Sequence, residues 1–141
     1  EPFVPCEYRF SDSSLMEDGF IFVPNNCKEK SGCRVHLVLH ASSRGGDTKM
    51  PYMLGYNQYG AANDIIMIYP QVQAMKTPNS LGKVNNEGYW DNWSYTGDAW
   101  DTREGVQPKF LMNLIEWVQG NLGEEDGICA QIRKNRGETL Q

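Results

Sequence analysis

A chain of 141 residues, 40% hydrophobic and 11% aromatic, is long enough for one domain with its own core, which excludes disorder throughout. Its formal charge of -5, with no long basic run, argues against a nucleic-acid partner, because neutralising phosphates needs clustered Lys and Arg. No stretch approaches the ~18 consecutive apolar residues of a spanning helix, so no membrane span is expected.

In chain order, Tyr8 and Phe10 alternate with charge, and Glu7 to Phe10 reads as a weak strand. "DGFIFVP", Asp18 to Pro24, is a short aromatic and β-branched run bounded by Gly19 and Pro24 and reads as a buried strand. Arg34 to His40 is a second such run, and "NDIIMIYP", Asn63 to Pro70, a third. Runs without strict alternation suit strands covered on both faces, as in a parallel sheet flanked by helices. Between the last two lie Met50, Tyr52, Met53, Leu54, Tyr56 and Tyr59, enough for a crossover helix interrupted near Gly55 and Gly60.

Residues 71–106 form a long irregular region carrying Trp90, Trp93, Tyr95 and Trp100 among Gly, Asn and Asp, a content that suits a functional loop. From Gln107 to Leu122, Phe110, Leu111, Leu114, Ile115, Val118 and Leu122 recur at helical spacing, with Pro108 in the first turn and Gly123 after the end. The tail beyond is polar. The expectation is an α/β chain: three or four largely parallel strands, two main helices and a long aromatic-rich loop. Three strands and two helices cannot cover both faces of a sheet, so an exposed apolar surface covered by a partner chain is expected.

Cys6, Cys27, Cys33 and Cys129 are an even number whose one close pair, C-x5-C, fits no common zinc spacing. Disulfides and an extracellular or secretory-lumen location are expected, with no metal and no cofactor. The chain starts at Glu1, which reads as a processed chain or a piece. Asn92-Trp93-Ser94 fits the N-glycosylation sequon, a pattern that also arises in ordinary polar loops.

In "CRVHLVLHASSRGG", residues 33 to 46, an apolar run ends at His40 and gives way to small residues. A strand, a tight loop and a helix at the carboxyl edge of a parallel sheet is where α/β enzymes place their sites. His40 reads as a hydrogen-bonded strand-end histidine and His36 as structural. Asp91 and Asp101 read as turn and cap residues, since short Asx side chains satisfy local backbone donors. For the tryptophans of the aromatic-rich loop, core and surface-crevice readings stand level. No G-x-S-x-G elbow is present, and Ser13, Ser14, Ser42 and Ser43 read as loop serines.

Taken in order, "MEDGFIFVPNNC", "GCRVHLVLHAS", "GYNQYGAANDIIMIYPQ", "GYWDNWSYTG" and "WDTREGVQ" closely resemble the extracellular poly(hydroxybutyrate) depolymerases and related esterases, from about Tyr8 to about Leu122. The resemblance implies a partial α/β-hydrolase sheet, with residues 1–141 matching the second half of circularly permuted members, whose nucleophile, acid and base all lie upstream. It makes Ser42, through its backbone N–H, the equivalent of an oxyanion-hole donor, and Trp90, with Trp93 and Tyr95, a crevice for a polyester or acyl-ester ligand. It also implies a Cys27–Cys33 disulfide, and Cys6 and Cys129 are expected to bridge the chain's ends.

The chain departs from the family at the oxyanion loop, where "HGC" becomes His40-Ala41-Ser42, and in the tryptophan loop, where "GCWDWWGYTG" becomes a block with Tyr89 in place of cysteine. Both members of one family disulfide are therefore replaced together, by Ser42 and Tyr89. Alanine resists backbone angles that glycine accepts, which puts the oxyanion hole in question. Two readings follow. One is a fragment or subunit of a secreted serine esterase, inactive alone and completed by the upstream half or a partner chain. The other is a non-catalytic binding or structural module.

Overall fold

The apolar run Ile65–Tyr69 (β4) is the central strand of a four-stranded sheet in the computed structural model, which describes residues 2–3, 10–16, 18–28 and 32–120. On one side it pairs in parallel with Arg34–Leu37 (β3), with Arg34 opposite Ile65 and Leu37 opposite Ile68. On the other it pairs antiparallel with Gly19–Phe22 (β2), and Pro2–Phe3 (β1) extends β2, again antiparallel. The order is β1-β2-β4-β3, so the sheet is mixed and not largely parallel. A continuous apolar run reports burial of both faces but not direction. Residues 23–33 alone join β2 to β3, shorter than the dozen or more that a parallel crossover needs, so the chain reverses there.

The βαβ unit between β3 and β4 is present, and its helical segment is broken once. Met50–Met53 (α3) and Tyr56–Asn63 (α4) are separated at Gly55, whose φ of 78° a side chain would strain. Gly60 does not interrupt. It lies buried within α4, where an added Cβ would stand 2.6 Å from the Ile65 carbonyl oxygen, so its lack of a side chain lets α4 lie against β4. Val106–Gly120 (α5) realises the helix expected over residues 107–122, as far as the described residues reach.

Alternation along the strands sorts the core into two layers. Ile66 and Ile68, with Val35 and Leu37, face Phe110, Leu114 and Val118, which recur every four residues along α5. Met67 and Tyr69, with Val38, Phe20 and Phe22, face the opposite way, toward Met50. On that side Tyr52, Met53 and Tyr59 remain 73%, 78% and 61% exposed, which is the uncovered apolar surface expected from too few helices.

Cys27, in the short helix Asn25–Lys28 (α2), is bonded to Cys33, and both sulfurs lie in the α5-side core. The expected bridge between Cys6 and Cys129, and residues 7–9 of the expected first strand, lie outside the described residues. Phe10 itself opens a short helix, Phe10–Ser13 (α1), rather than ending a strand.

Two outcomes test this packing. Leu114→Ala lowers unfolding free energy by about 3 kcal/mol in urea titration, the usual cost of a core leucine truncated to leave a cavity. Replacing Cys27 and Cys33 together by Ala removes a short closed loop and lowers it by about 2 kcal/mol.

Candidate functional site

The site lies where three segments meet beyond the carboxyl ends of β3 and β4: the loop 40–47, the chain leaving β4 at 70–76, and the aromatic loop 85–100. His40 joins the first two. Its imidazole is buried, Nε2 accepts the Val72 backbone N–H at 3.0 Å, and Nδ1 lies 2.7 Å from the Ala41 carbonyl oxygen. One neutral tautomer satisfies both contacts, with the proton on Nδ1 donated to that carbonyl. His40 is thus structural. His36 projects from the other face of β3 and stacks on Tyr56, ring centroids 5.6 Å apart.

The loop after His40 is clamped along its length. Ser43, at a left-handed φ of 58°, donates its backbone N–H to the Glu87 carbonyl at 2.6 Å and its hydroxyl to the Glu87 carboxylate at 3.1 Å. Gln71 accepts the Gly46 N–H at 2.9 Å and donates to the Tyr69 carbonyl at 3.0 Å. At Gly45 an added Cβ would overlap the Val72 carbonyl oxygen, so only glycine lets the loop lie so close. Ser42 is half-buried between these contacts, and among the described residues its N–H has no hydrogen-bond partner. A cleft of about 480 Å³ runs beside the loop, walled by Ser43, Gly45, Val72, Lys76, Glu87 and Gly88.

The aromatic loop is not held by its aromatic side chains alone. Asp91 folds it, accepting the N–H groups of Trp93, Tyr95 and Thr96 and the Thr96 hydroxyl, so it is the turn residue its type implied. Asn85 is fully buried and donates to Ser14 Oγ at 3.1 Å and the Tyr89 carbonyl at 2.8 Å, while its Oδ1 accepts the Tyr89 N–H at 2.9 Å. Gln107 donates to the Tyr95 hydroxyl at 2.7 Å, and that hydroxyl donates to the Tyr89 carbonyl at 2.7 Å.

These bonds separate the three aromatic candidates. Tyr95 is wholly buried and forms part of the core beneath the loop. Trp93 lies over it at 4.7 Å, 39% exposed, with Tyr89 edge-on at 6.0 Å. Trp90 is half-buried, packs on the α5-side core and tilts against His40 at 5.8 Å. Its Nε1 is buried and has no hydrogen-bond partner among the described residues. The structure therefore brings Trp90 to the strand end that leads to Ser42, and sets Trp93 on the surface with Tyr95 as its floor.

Gln71, Asn85, Glu87 and Gln107 brace the site, and nothing in the sequence marked them: polar residues in polar loops or in a helix's first turn carry no periodic signal. Among the described residues no group of three His, Cys, Asp or Glu side chains converges as a metal site would require, and no helix is long and apolar enough to cross a membrane.

A mixed sheet with helices on both faces and a loop site at its carboxyl edge is a partial α/β fold. No family model matches the sequence. The chain is 29% identical over 118 residues to a poly(3-hydroxybutyrate) depolymerase of Delftia acidovorans, and 27% over 110 residues to a polyhydroxybutyrate depolymerase of Talaromyces funiculosus. These matches take in 80% and 71% of this chain but 22% and 32% of those proteins, so the chain spans about a fifth to a third of the curated relatives' length.

Among solved structures, a PHB depolymerase from Penicillium funiculosum superposes with a TM-score of 0.69 at 21% identity, covering 82% of this chain and 39% of that one. A PHB depolymerase variant complexed with an R3HB trimer gives 0.67 at 22% identity, with 84% and 39% covered. The structural neighbours share this chain's fold, and by its sequence relatives the chain is poly(hydroxybutyrate) depolymerase-like over the matched residues.

Burial, reinforced by the nearby Tyr56 phenol, pushes the Tyr69 hydroxyl up to about 12, and burial likewise raises that of Tyr95. A phenol whose folded pKa lies above its unfolded value near 10 contributes fully below pH ~10 and loses that contribution as pH climbs toward the folded value. Denaturant midpoints therefore fall between about pH 10 and 12, and Tyr69→Phe flattens that fall. His40→Ala strands the Val72 N–H and empties the space beside Trp90, so urea titration gives a loss of about 2–3 kcal/mol.

Proposed function

We propose that this chain is part of a secreted serine ester hydrolase of the polyester-depolymerase type, supplying the oxyanion loop and an aromatic crevice but no catalytic triad. The nucleophile, its base and the orienting carboxylate come from the upstream half of the enzyme or from a partner chain. The observation that carries this reading is the clamp of Ser43 on Glu87, which ties the loop bearing Ser42 to the loop bearing Trp90 and Trp93.

When a serine attacks an ester carbonyl, negative charge develops on the carbonyl oxygen. The Ser42 N–H, held without a partner among the described residues, is a donor of the kind that stabilises it, and one such donor is worth about 10²–10³ in rate. Trp93 and Trp90 offer apolar faces to an acyl chain, and Tyr95 acts from below by fixing Trp93. Among the described residues β3 pairs with β4 alone, so its free edge and the bare α3–α4 surface are where the rest of a hydrolase sheet would join. The buried Cys27–Cys33 bridge supports an extracellular or secretory-lumen setting.

A second reading, a non-catalytic binding module, draws on Ala41 where the family carries glycine and on the missing nucleophile elbow.

Assays with a short-chain p-nitrophenyl ester separate the two. The 141-residue chain alone gives no turnover; mixed or co-expressed with the upstream half it hydrolyses the ester. No turnover in either case, with retained binding of a hydroxybutyrate oligomer, leaves the module reading, and turnover by the chain alone overturns both. Trp93→Ala weakens oligomer binding about tenfold or more, loss of one stacked aromatic contact in a crevice, as read by calorimetry.

A further inference from the structure

We infer that Asn92 is a glycan acceptor at the rim of the aromatic loop. Asn92-Trp93-Ser94 is the one Asn-x-Ser/Thr triplet in the 141 residues. A triplet in a core or a regular element would be sterically closed, but here the loop's own hydrogen bonds present it outward. The Asp91 carboxylate gathers the N–H groups of Trp93, Tyr95 and Thr96 on its inner side, so residues 92–94 arch over it. Ser94 takes a left-handed φ of 66°, its carbonyl accepts the Gly97 N–H at 3.2 Å, and the chain turns back there. Asn92 at the crest is exposed, and among the described residues its amide makes no hydrogen bond, whereas Asn79 and Asn85 spend theirs on backbone carbonyls.

The donor is a polyprenyl-diphosphate-linked oligosaccharide. The Asn92 amide nitrogen forms a bond to the sugar's anomeric carbon, the bond from that carbon to the diphosphate oxygen breaks, the polyprenyl diphosphate leaves, and the amide gives up one proton. The glycan then stands beside the exposed face of Trp93 and borders the proposed crevice.

The inference rests on the secretory setting proposed above, and the test keeps the two apart by forcing entry to the lumen. The full chain is fused to a cleavable secretory signal and translated with eukaryotic microsomes, and the protease-protected fraction is treated with an N-glycosidase. Expected is a downward gel shift on treatment, Asn92 read as Asp by mass spectrometry, and no shift for Asn92→Gln or Ser94→Ala. A translocated chain with the Cys27–Cys33 bridge formed but no shift overturns the acceptor. The same two cysteines found reduced in the protein from its own cells would instead overturn the secretory setting, whatever the microsomes give.

Discussion

Gln107 reaches from the first turn of α5 into the interior and there ties two other chain segments to that helix, the end of α1 and the aromatic loop. Its amide nitrogen donates to the Ser13 carbonyl at 2.8 Å and to the Tyr95 hydroxyl at 2.7 Å, and its oxygen accepts the Asp91 N–H at 2.8 Å. Buried polar groups must be paired, and a network of this kind is rigid because every alternative leaves some donor or acceptor stranded in a dry interior. Asn85 extends it to Ser14 and Tyr89. A loop of some thirty-five residues without regular structure would otherwise have little to fix it; here it is closed onto the helix that covers the sheet.

The consequence reaches the surface through aromatic contacts. With Tyr95 fixed by its hydroxyl, Trp93 has a floor, and with Tyr89 fixed through Asn85, Trp93 also has a wall. Trp90, one residue further on, is carried against His40. His40 in turn joins β3 to the chain leaving β4, and the loop beyond it is clipped to Glu87. The loop that bears Ser42 is thus held by its neighbours in advance of any ligand, which is the preorganisation that the proposed oxyanion role requires.

The elements were legible where one physical signal dominated. The apolar run between Asn63 and Pro70, bounded by polar residues and a proline, reads as a buried strand and forms one over Ile65–Tyr69, and Phe110, Leu114 and Val118 at a four-residue repeat announce α5. The break at Gly55 was legible for the same reason, whereas Gly60 looked like a second break because a glycine that ends a helix and a glycine that lets a helix approach a strand are the same letter. Strand direction was not legible, since burial pattern is blind to it. The resemblance supplied Ser42 and the tryptophans but could not divide buried Tyr95 from exposed Trp93.

What the sequence by itself determined is therefore what local chemistry decides: which runs become strands, which face of α5 is apolar, that Asp91 folds a turn, and which family the ordered blocks resemble. Only the tertiary structure decided that β2 runs against β4, that His40 binds Val72 and that Ser43 meets Glu87, because those pairings join residues 32 to 49 positions apart. At that separation no periodicity links the partners. The chain must fold before either can be chosen.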